Sequence, residues 1–207
     1  MLDLYLIRHA ESVMNRDSSH LIGGRSNHSP LTETGINQSG FLGQRFLADN
    51  IKFDRVYSST AVRAYQTAKI ACEKVQYPIE NIILSEEILE LNQGDWEGKN
   101  RSEIYTKETL ELIKADNWNF IPPNGESQRA VEYRMLNWLE KSLFTNEDLI
   151  VSVYTHGVAI KCLLRGIMDF TPKLTYKICL DNTSITRLQY KEDGWHLFSI
   201  NDIAHLF

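Results

Sequence analysis

Short apolar runs alternate along the chain with longer segments in which apolar residues recur at helical spacing. Four runs predict β-strands: 4–7 ("LYLI"), 53–59 ("FDRVYSS"), 81–86 ("NIILSE") and 148–155 ("DLIVSVYT"). The intervening pattern predicts helices at about 33–49, 61–75, 127–144 and 157–168. Thr32 is a plausible N-cap for the first of these helices. Strands alternating with helices predict an α/β fold with three layers, in which a mostly parallel sheet carries helices on both faces.

Two segments depart from this alternation. Residues 184–190 and 195–201 flank the turn sequence "KEDG" and predict a C-terminal antiparallel hairpin at the edge of the sheet. Residues 99–126 fit neither period, and they are predicted to form a lid-like excursion over one end of the sheet. Because no repeat or linker divides the chain, residues 1–207 are expected to form a single domain.

Composition restricts the class of protein. Hydrophobic residues make up 43% and charged residues 24%, as in soluble globular proteins. The net charge of −5 argues against nucleic acid or a membrane as partner, so an anionic ligand would need a locally positive pocket. Three cysteines without CxxC spacing predict free thiols in a reducing compartment. With no apparent signal peptide or membrane span, a cytoplasmic protein is expected, and a homodimer is left open.

Polar side chains follow two of the predicted buried strands. Arg8 and His9 end the run at 4–7, while His156 and Gly157 follow the run at 148–155, where a helix begins. Ligands of open α/β sheets bind at the carboxyl ends of strands, and a helix N-terminus offers amides to an anion. The two histidines would meet if their strands are neighbours. Neither HxH nor HExxH spacing accompanies them, so no metal site and no cofactor are predicted.

Six short motifs, in order, resemble those of the histidine phosphatase superfamily, also called the phosphoglycerate mutase-like family. They are "RHAES" followed by Asn15, "SPLTETG", "RAYQTA", "ELNQGDWEG", "NGES" and "THG". The resemblance covers nearly the whole chain and is greatest to the small bacterial phosphatase branch. One departure is Ala10, which stands where the family more often has glycine, and its methyl group is expected to narrow the pocket slightly.

The resemblance implies a role for each motif. His9 would attack phosphorus and form a phosphohistidine, and Glu90, expected in an apolar setting, would protonate the leaving group. The implied catalytic residues are His9, Glu90, Arg8, Arg63 and His156. The implied substrate-binding residues are Arg8, Asn15, Gly24, Arg63, His156 and Gly157. The ligand would be a small-molecule phosphate ester, clamped by the arginines.

Three activities fit this resemblance. A phosphomonoesterase is favoured over a cofactor-dependent phosphoglycerate mutase, because the excursion lacks the paired arginines that resemble the mutase substrate-binding motif. A catalytically silent binding module is the third possibility, and it is disfavoured because every implied catalytic position holds the expected residue type. The sequence does not identify the substrate. Several side chains remain open between substrate contact and ordinary packing or solvation: Arg25, Lys99, Arg101, Tyr105, Trp118 and Phe120.

Overall fold

A six-stranded mixed sheet forms the centre of the computed structural model, which describes residues 1–17, 20–144 and 148–207. The strands are β1 (Leu2–Arg8), β2 (Arg55–Ser59), β3 (Ile83–Ser85), β4 (Leu149–Thr155), β5 (Ile185–Lys191) and β6 (Gly194–Asp202). Their order is β3-β2-β4-β1-β5-β6, with the first four parallel and the last two antiparallel to their neighbours. The mostly parallel sheet with a C-terminal hairpin at its edge is confirmed.

Helices cover both faces of this sheet. They are α1 (Val13–Asp17), α2 (Glu33–Ala48), α3 (Val62–Lys74), α4 (Arg101–Ile104), α5 (Lys107–Ala115), α6 (Gln128–Leu143) and α7 (Gly157–Met168). Apolar side chains of α2 and α3 share a core cluster with Tyr5 and Ile7, whereas those of α6 and α7 share another with Leu4 and Leu6. Because successive strand residues face opposite sides, β1 is buried on both faces, which explains its uninterrupted apolar run. The predicted three layers are confirmed.

Local sequence signals fix several element boundaries. Thr32 caps α2 as predicted, and its hydroxyl oxygen accepts a hydrogen bond from the Gly35 amide at 3.1 Å. Three helices form where the sequence pattern predicted none: α1 lies between the first predicted strand and the first predicted helix, and α4 and α5 form within the excursion. Helix α5 spans only nine residues and contains no buried residue, so its periodic pattern is too short to identify a helix with certainty from the sequence.

The strand order brings the predicted functional residues to one edge. Strand β4 pairs with β1 on one side and with β2 on the other, and Arg8 is in register with Thr155. His9 and His156 therefore follow the ends of adjacent strands, and α3 begins shortly after the end of β2. Within the described ranges, none of the helices combines the length and the hydrophobicity needed to cross a membrane.

Candidate active site

His9 is a neutral, buried imidazole with a defined tautomer. Its ring nitrogen Nδ1 lies 2.7 Å from the carbonyl oxygen of Ala10, and Nε2 lies 3.0 Å from Nε of Arg63. A carbonyl can only accept and a guanidinium can only donate, so Nδ1 carries the hydrogen and Nε2 the lone pair. Burial first, then the charges of Arg63 and Arg8, lower the pKa of His9 well below its usual value. An unprotonated Nε2 thus faces a cation.

His156 lies beside His9 at the N-cap of α7, with the two ring centroids 5.1 Å apart. Its Nδ1 lies 3.1 Å from Nη2 of Arg63, and its Nε2 lies 2.8 Å from the hydroxyl oxygen of Ser59. By the same reasoning Nδ1 accepts from Arg63, and Nε2 donates to Ser59. Burial, followed by the charge of Arg63, lowers the pKa of His156 well below its usual value. Both histidines therefore direct a lone pair at one guanidinium.

Arg63 joins the histidines to the loop that follows α1. Its Nε and one Nη2 hydrogen contact the two imidazoles, and the other N–H groups donate to the carbonyl oxygens of residues 24–26 at 2.8–3.1 Å. The side chain is buried, and this burial lowers the pKa of Arg63 to about 10. The guanidinium therefore keeps its charge at neutral pH. All five of its N–H donors are engaged.

The loop at 24–26 is held in place by Glu97. One carboxylate oxygen accepts from the amides of Arg25 (2.8 Å) and Gln93 (3.1 Å), and the other accepts from the amide of Ser26 at 3.0 Å. Gly24 has φ +115°, and a Cβ there would lie 2.5 Å from Glu97 Oε1. Glycine is therefore required on both conformational and steric grounds. Gly24 shapes the loop that Arg63 contacts.

Arg8 provides an unsatisfied donor at the same edge. Its Nη1 donates to the carbonyl of Leu180, but its buried Nε has no hydrogen-bond partner among the described residues. A buried N–H without an acceptor is costly, and an anion would satisfy it. Gly157 adjoins this nitrogen, since a Cβ there would lie 3.6 Å from it. Lys161 lies one turn further along α7 and is partly buried. Burial, followed by the charge of Arg8, lowers the pKa of Lys161. With Arg8 and Arg63, its ammonium group is the third positive charge considered for this site.

Glu90 caps helix α7 with its carboxylate. Oε1 accepts from the amides of Leu91 (2.8 Å) and Ala159 (3.1 Å), and Oε2 accepts from the amide of Val158 at 3.1 Å. The sequence predicted an apolar setting for Glu90 and free amides at the start of α7. The expected apolar setting is wrong, because the carboxylate accepts from three backbone amides. Two amides in the first turn of α7 are thereby occupied, at the end of the helix where its dipole favours negative charge.

Asn15 is held next to the backbone of His9 by a residue that the sequence reasoning missed. The Oδ1 atom of Asn15 accepts hydrogen bonds from Ser12 and, at 3.2 Å, from Nδ2 of Asn182. Asn182, the residue that was missed, also donates from Nδ2 to the carbonyl of His9 at 2.9 Å. Ser59 was also missed, although it ends β2 at the same sheet edge. The two histidines were found because polar residues at strand ends meet at one edge, and the same reasoning applies to Ser59. Asn182 follows no predicted strand and has no such signal.

Ala10, the departure from the family pattern, is fully buried and its φ is not in the left-handed region. Its amide donates to the hydroxyl oxygen of Thr67 at 3.0 Å, while its carbonyl accepts from His9. The backbone here does not need the conformational freedom of glycine. Thr67, another residue that the sequence reasoning missed, thus fixes the peptide that orients the His9 ring.

The donor set of this site suits an anion. The lone pairs of His9 Nε2 and His156 Nδ1 both accept from Arg63, so a cation at either nitrogen would face the guanidinium. Within the described ranges, no three or more His, Cys, Asp or Glu side chains are grouped so that they could hold a metal ion. The N–H groups of Arg63 and the unpartnered Nε of Arg8 converge here, which suits the oxygens of a phosphoryl group.

The aromatic residues of the excursion divide between two environments. Tyr105 and Phe120 pack around Trp96, with ring centroids 5.9 Å and 5.6 Å from its own, and line a cavity of about 300 Å³. Trp118 lies instead against the guanidinium of Arg165, away from that cavity. Two of the three aromatic residues considered as substrate contacts therefore face a space large enough for a ligand group.

The cations considered for a second substrate anion lie in different surroundings. Arg25 pairs with Glu126 at 3.5 Å, and Lys99 is exposed. Arg101 is exposed and lies over the ring of Tyr105 at 4.9 Å from its centroid. None of the three contacts the two histidines or Arg63 through its side chain in the part of the chain that the structure describes. The sequence reasoning did not consider Lys161 of α7 as a contact for a second substrate anion.

Two neutral histidines at adjacent strand ends, joined by a buried arginine, define a site for phosphoryl chemistry. The chain belongs to the histidine phosphatase superfamily, whose branch 1 family model matches residues 4–203. The predicted family is thereby confirmed. A probable phosphoglycerate mutase, GpmB, from Yersinia enterocolitica is 30% identical over 214 aligned positions, which cover 100% of this chain and 95% of that protein.

Solved structures show the same fold over the full chain. Phosphoserine phosphatase from Entamoeba histolytica, in complex with 3-phosphoglyceric acid, is 28% identical with a TM-score of 0.84, and 100% of each chain is covered. A putative alpha-ribazole-5'-P phosphatase from Escherichia coli K-12 is 25% identical with a TM-score of 0.80, over 98% of this chain and 97% of that chain. These likenesses support a phosphatase-type enzyme.

Proposed function

We propose that the protein is a phosphomonoesterase that hydrolyses small phosphate esters through a phosphohistidine on His9. One observation carries this proposal: the lone pair of a buried, neutral His9 is aimed at the guanidinium of Arg63 at 3.0 Å. Guanidinium groups bind phosphate oxygens in paired hydrogen bonds, so a phosphoryl group bound to Arg63 places phosphorus within reach of Nε2.

Substrate binding neutralises the phosphate dianion before attack. The Nε donor of Arg8, which has no partner among the described residues, and the N–H groups of Arg63 that face the imidazoles turn to phosphate oxygens. Lys161 adds charge without displacing either arginine. These fixed cations stabilise the charge of the transition state, so we propose that the reaction needs no metal ion. A hydrogen bond from His156 to phosphate requires protonation of its Nδ1, which the arriving dianion favours.

The phosphoryl group then moves in two steps. Nε2 of His9 bonds to phosphorus as the ester P–O bond breaks, and the carbonyl of Ala10 stabilises the positive ring through Nδ1–H. We propose that Glu90 takes up a proton as the phosphate dianion binds and gives this proton to the leaving alkoxide. In the second step Glu90 takes a proton from the water that attacks the phosphohistidine, which releases phosphate and restores neutral His9.

Two other carboxylates were considered as the proton donor, and their contacts argue against them. Glu11 accepts from the hydroxyl of Thr32 at 2.6 Å, at the start of α2. Glu97 accepts from the amides of Arg25, Ser26 and Gln93, none of which adjoins either histidine in the chain. Glu90 accepts from the amides of Val158 and Ala159, which lie two and three residues after His156, and this proximity to a histidine favours it.

A phosphoglycerate mutase is the second candidate, supported by the 30% identity to the probable mutase of Yersinia enterocolitica. A mutase must return the phosphoryl group to a bound glycerate and keep water away from the phosphohistidine. Hydrolysis is favoured here because two structural neighbours are named as phosphatases. With 3-phosphoglycerate as substrate, release of inorganic phosphate supports the phosphatase, and formation of 2-phosphoglycerate without release supports the mutase.

Trapping the covalent intermediate tests the proposal directly. Rapid quenching with a radiolabelled phosphate ester should give a phosphoprotein that is labile in acid and stable in base. His9→Ala should abolish both the label and turnover, whereas His196→Ala, at a partly exposed position on β6, should change neither. Near-normal turnover in His9→Ala would rule out the covalent mechanism.

A further inference from the structure

The cavity of about 300 Å³ that Tyr105 and Phe120 line lies between the excursion and the segment that follows Glu90. Most of its wall is apolar or aromatic, and this wall includes Leu91, Trp96, Tyr105, Ile113, Phe120 and Tyr176. Ligand pockets typically combine such a wall with a small number of polar groups. The proposed chemistry assigns no role to this cavity.

Three of its lining residues connect this cavity to the catalytic pocket. Leu91 directly follows Glu90, whose carboxylate caps α7. Gln93 lies against Gly24, since a Cβ on that glycine would be 2.9 Å from its Cγ, and the carbonyl of Gly24 accepts from Arg63. Glu126 pairs with Arg25 of the same loop. The cavity therefore adjoins the loop that Arg63 contacts, on the side where Gln93 and Glu126 meet that loop.

Gln128 places an unsatisfied acceptor in the wall. The residue is 2% exposed, and its Nε2 donates to the hydroxyl oxygen of Tyr176 at 2.8 Å. Its Oε1 is buried without a hydrogen-bond partner in the described parts of the chain. A buried carbonyl oxygen normally has a partner, so a ligand that supplies one hydroxyl or N–H would complete the site.

The charged groups of the lining are already engaged or lie at its exposed rim. Glu126 pairs with Arg134 at 2.8 Å as well as with Arg25. Arg101 stacks over Tyr105, and both Arg101 and Lys114 are exposed. A compact anionic group such as serine or glycerate would leave the apolar wall unfilled, whereas an aromatic group would cover it and stack against its rings.

We propose that this cavity binds the leaving group of the substrate, and that this group is an aromatic or bulky apolar alcohol with one hydrogen-bond donor. The inference rests on the proposed phosphomonoesterase function and narrows its substrate class. The aromatic ring occupies the space among Trp96, Tyr105 and Phe120, and the donor meets Oε1 of Gln128. Substrate choice is thus made by the excursion, while the histidine pocket binds the phosphoryl group common to all substrates.

Ethyl phosphate and 2-phenylethyl phosphate provide a matched test, because their alkoxide leaving groups have similar basicity and differ by one ring. Burial of that ring should raise kcat/KM by roughly 10- to 100-fold, and 3-phosphoglycerate should be a poorer substrate than the phenylethyl ester. Among the three hydroxyphenyl isomers of the phenylethyl ester, at least one should be faster still. That gain should disappear in Gln128→Met.

Two variants of α5 show whether the cavity itself is responsible. Leu110 lines the cavity and is 39% exposed, so Leu110→Trp should fill the space without disturbing the core. The variant should lower kcat/KM for the phenylethyl ester toward that of ethyl phosphate and leave ethyl phosphate unchanged. Leu112 lies two residues further on α5, outside the lining and 63% exposed, so Leu112→Trp should change neither substrate.

The outcomes separate this inference from the proposed function. Equal rates on the ethyl and phenylethyl esters, or a preference for 3-phosphoglycerate, would overturn the inference and leave the phosphatase assignment in place. If none of the esters is hydrolysed, the proposed function fails. In that event the cavity is tested by calorimetry with two non-hydrolysable ligands, and 2-phenylethylphosphonate should bind roughly 10- to 100-fold more tightly than ethylphosphonate. Equal affinities would reject the cavity as an aromatic subsite.

Discussion

Glu97 offers a sharp test of how the phosphate site is organised, because it was considered as a proton donor and the structure gives it another task. Its carboxylate accepts the amides of Arg25, Ser26 and Gln93. The carbonyls of the same loop accept the guanidinium of Arg63. Glu97 is therefore a positioning residue, and we expect Glu97→Gln to loosen the loop and, through it, Arg63.

The size of the effect follows from the contacts. The glutamine oxygen can keep the bonds from Arg25 and Gln93, but its NH₂ group then faces the N–H of Ser26, so one charge-assisted hydrogen bond is lost. Hydrogen bonds to charged groups are worth about 1.5–3 kcal/mol. Since about 1.4 kcal/mol corresponds to tenfold, kcat/KM should fall roughly 10- to 100-fold.

The assay compares an alkyl phosphate with nitrophenyl phosphate and measures inhibition by inorganic phosphate alongside. A positioning role predicts equal losses on both substrates and a parallel rise in the inhibition constant. Asp95→Asn is the control, because Asp95 lies in the same segment, is exposed and contacts Asn124, so it should behave as wild type. A loss confined to the alkyl phosphate would show that Glu97 donates the proton, and no loss at all would refute the role of the loop.

Three further predictions follow from the site. Glu90→Gln should lose about 10²–10⁴-fold on alkyl phosphates and far less on nitrophenyl phosphate, whose leaving group needs no proton; equal losses would mean a role in binding. Since the folded-state pKa values of His9 and His156 lie below the unfolded value near 6.5, the free energy of unfolding should fall as pH drops from about 6.5 toward 5.5, by up to about 1.4 kcal/mol per pH unit for each histidine. The free energy of unfolding, measured in urea at several pH values, should depend less steeply on pH in His156→Asn than in the wild type and equally steeply in the control His20→Asn, at an exposed position. An unchanged pH dependence in His156→Asn would contradict the assignment. Dialysis against a strong chelator should leave kcat/KM unchanged, and a loss restored by magnesium or zinc would contradict metal independence.

The sequence alone was enough to predict the sheet and the proximity of the two histidines. Strand and helix periods are carried by many residues at once, so β1, β4 and the hairpin were readable from apolar patterning. His9 and His156 met because polar residues at the ends of parallel strands share an edge. Arg63 was implied by its motif, and the structure places it between the two rings.

The contacts around these residues were not readable in the same way. The surroundings of Glu90 were predicted wrongly because its partners are backbone amides, which every residue carries and no sequence pattern marks. Asn182 reaches the carbonyl of His9 from a turn far along the chain, and only the tertiary fold brings the two together. Helix α5 was not predicted because its nine residues are too few for a long periodic pattern, although Thr106 at its N-cap was a usable local signal.

The fully engaged guanidinium of Arg63 has a consequence for the reactivity of the resting protein. The lone pair of His9 accepts an N–H of Arg63, so in this arrangement it is not directed at an electrophile. On the proposed mechanism, a ligand that offers anionic oxygens to Arg63 draws that N–H away and releases the lone pair as phosphorus arrives. A neutral electrophile binds the guanidinium much more weakly. We therefore expect the imidazole of the resting protein to react slowly with neutral alkylating and acylating reagents.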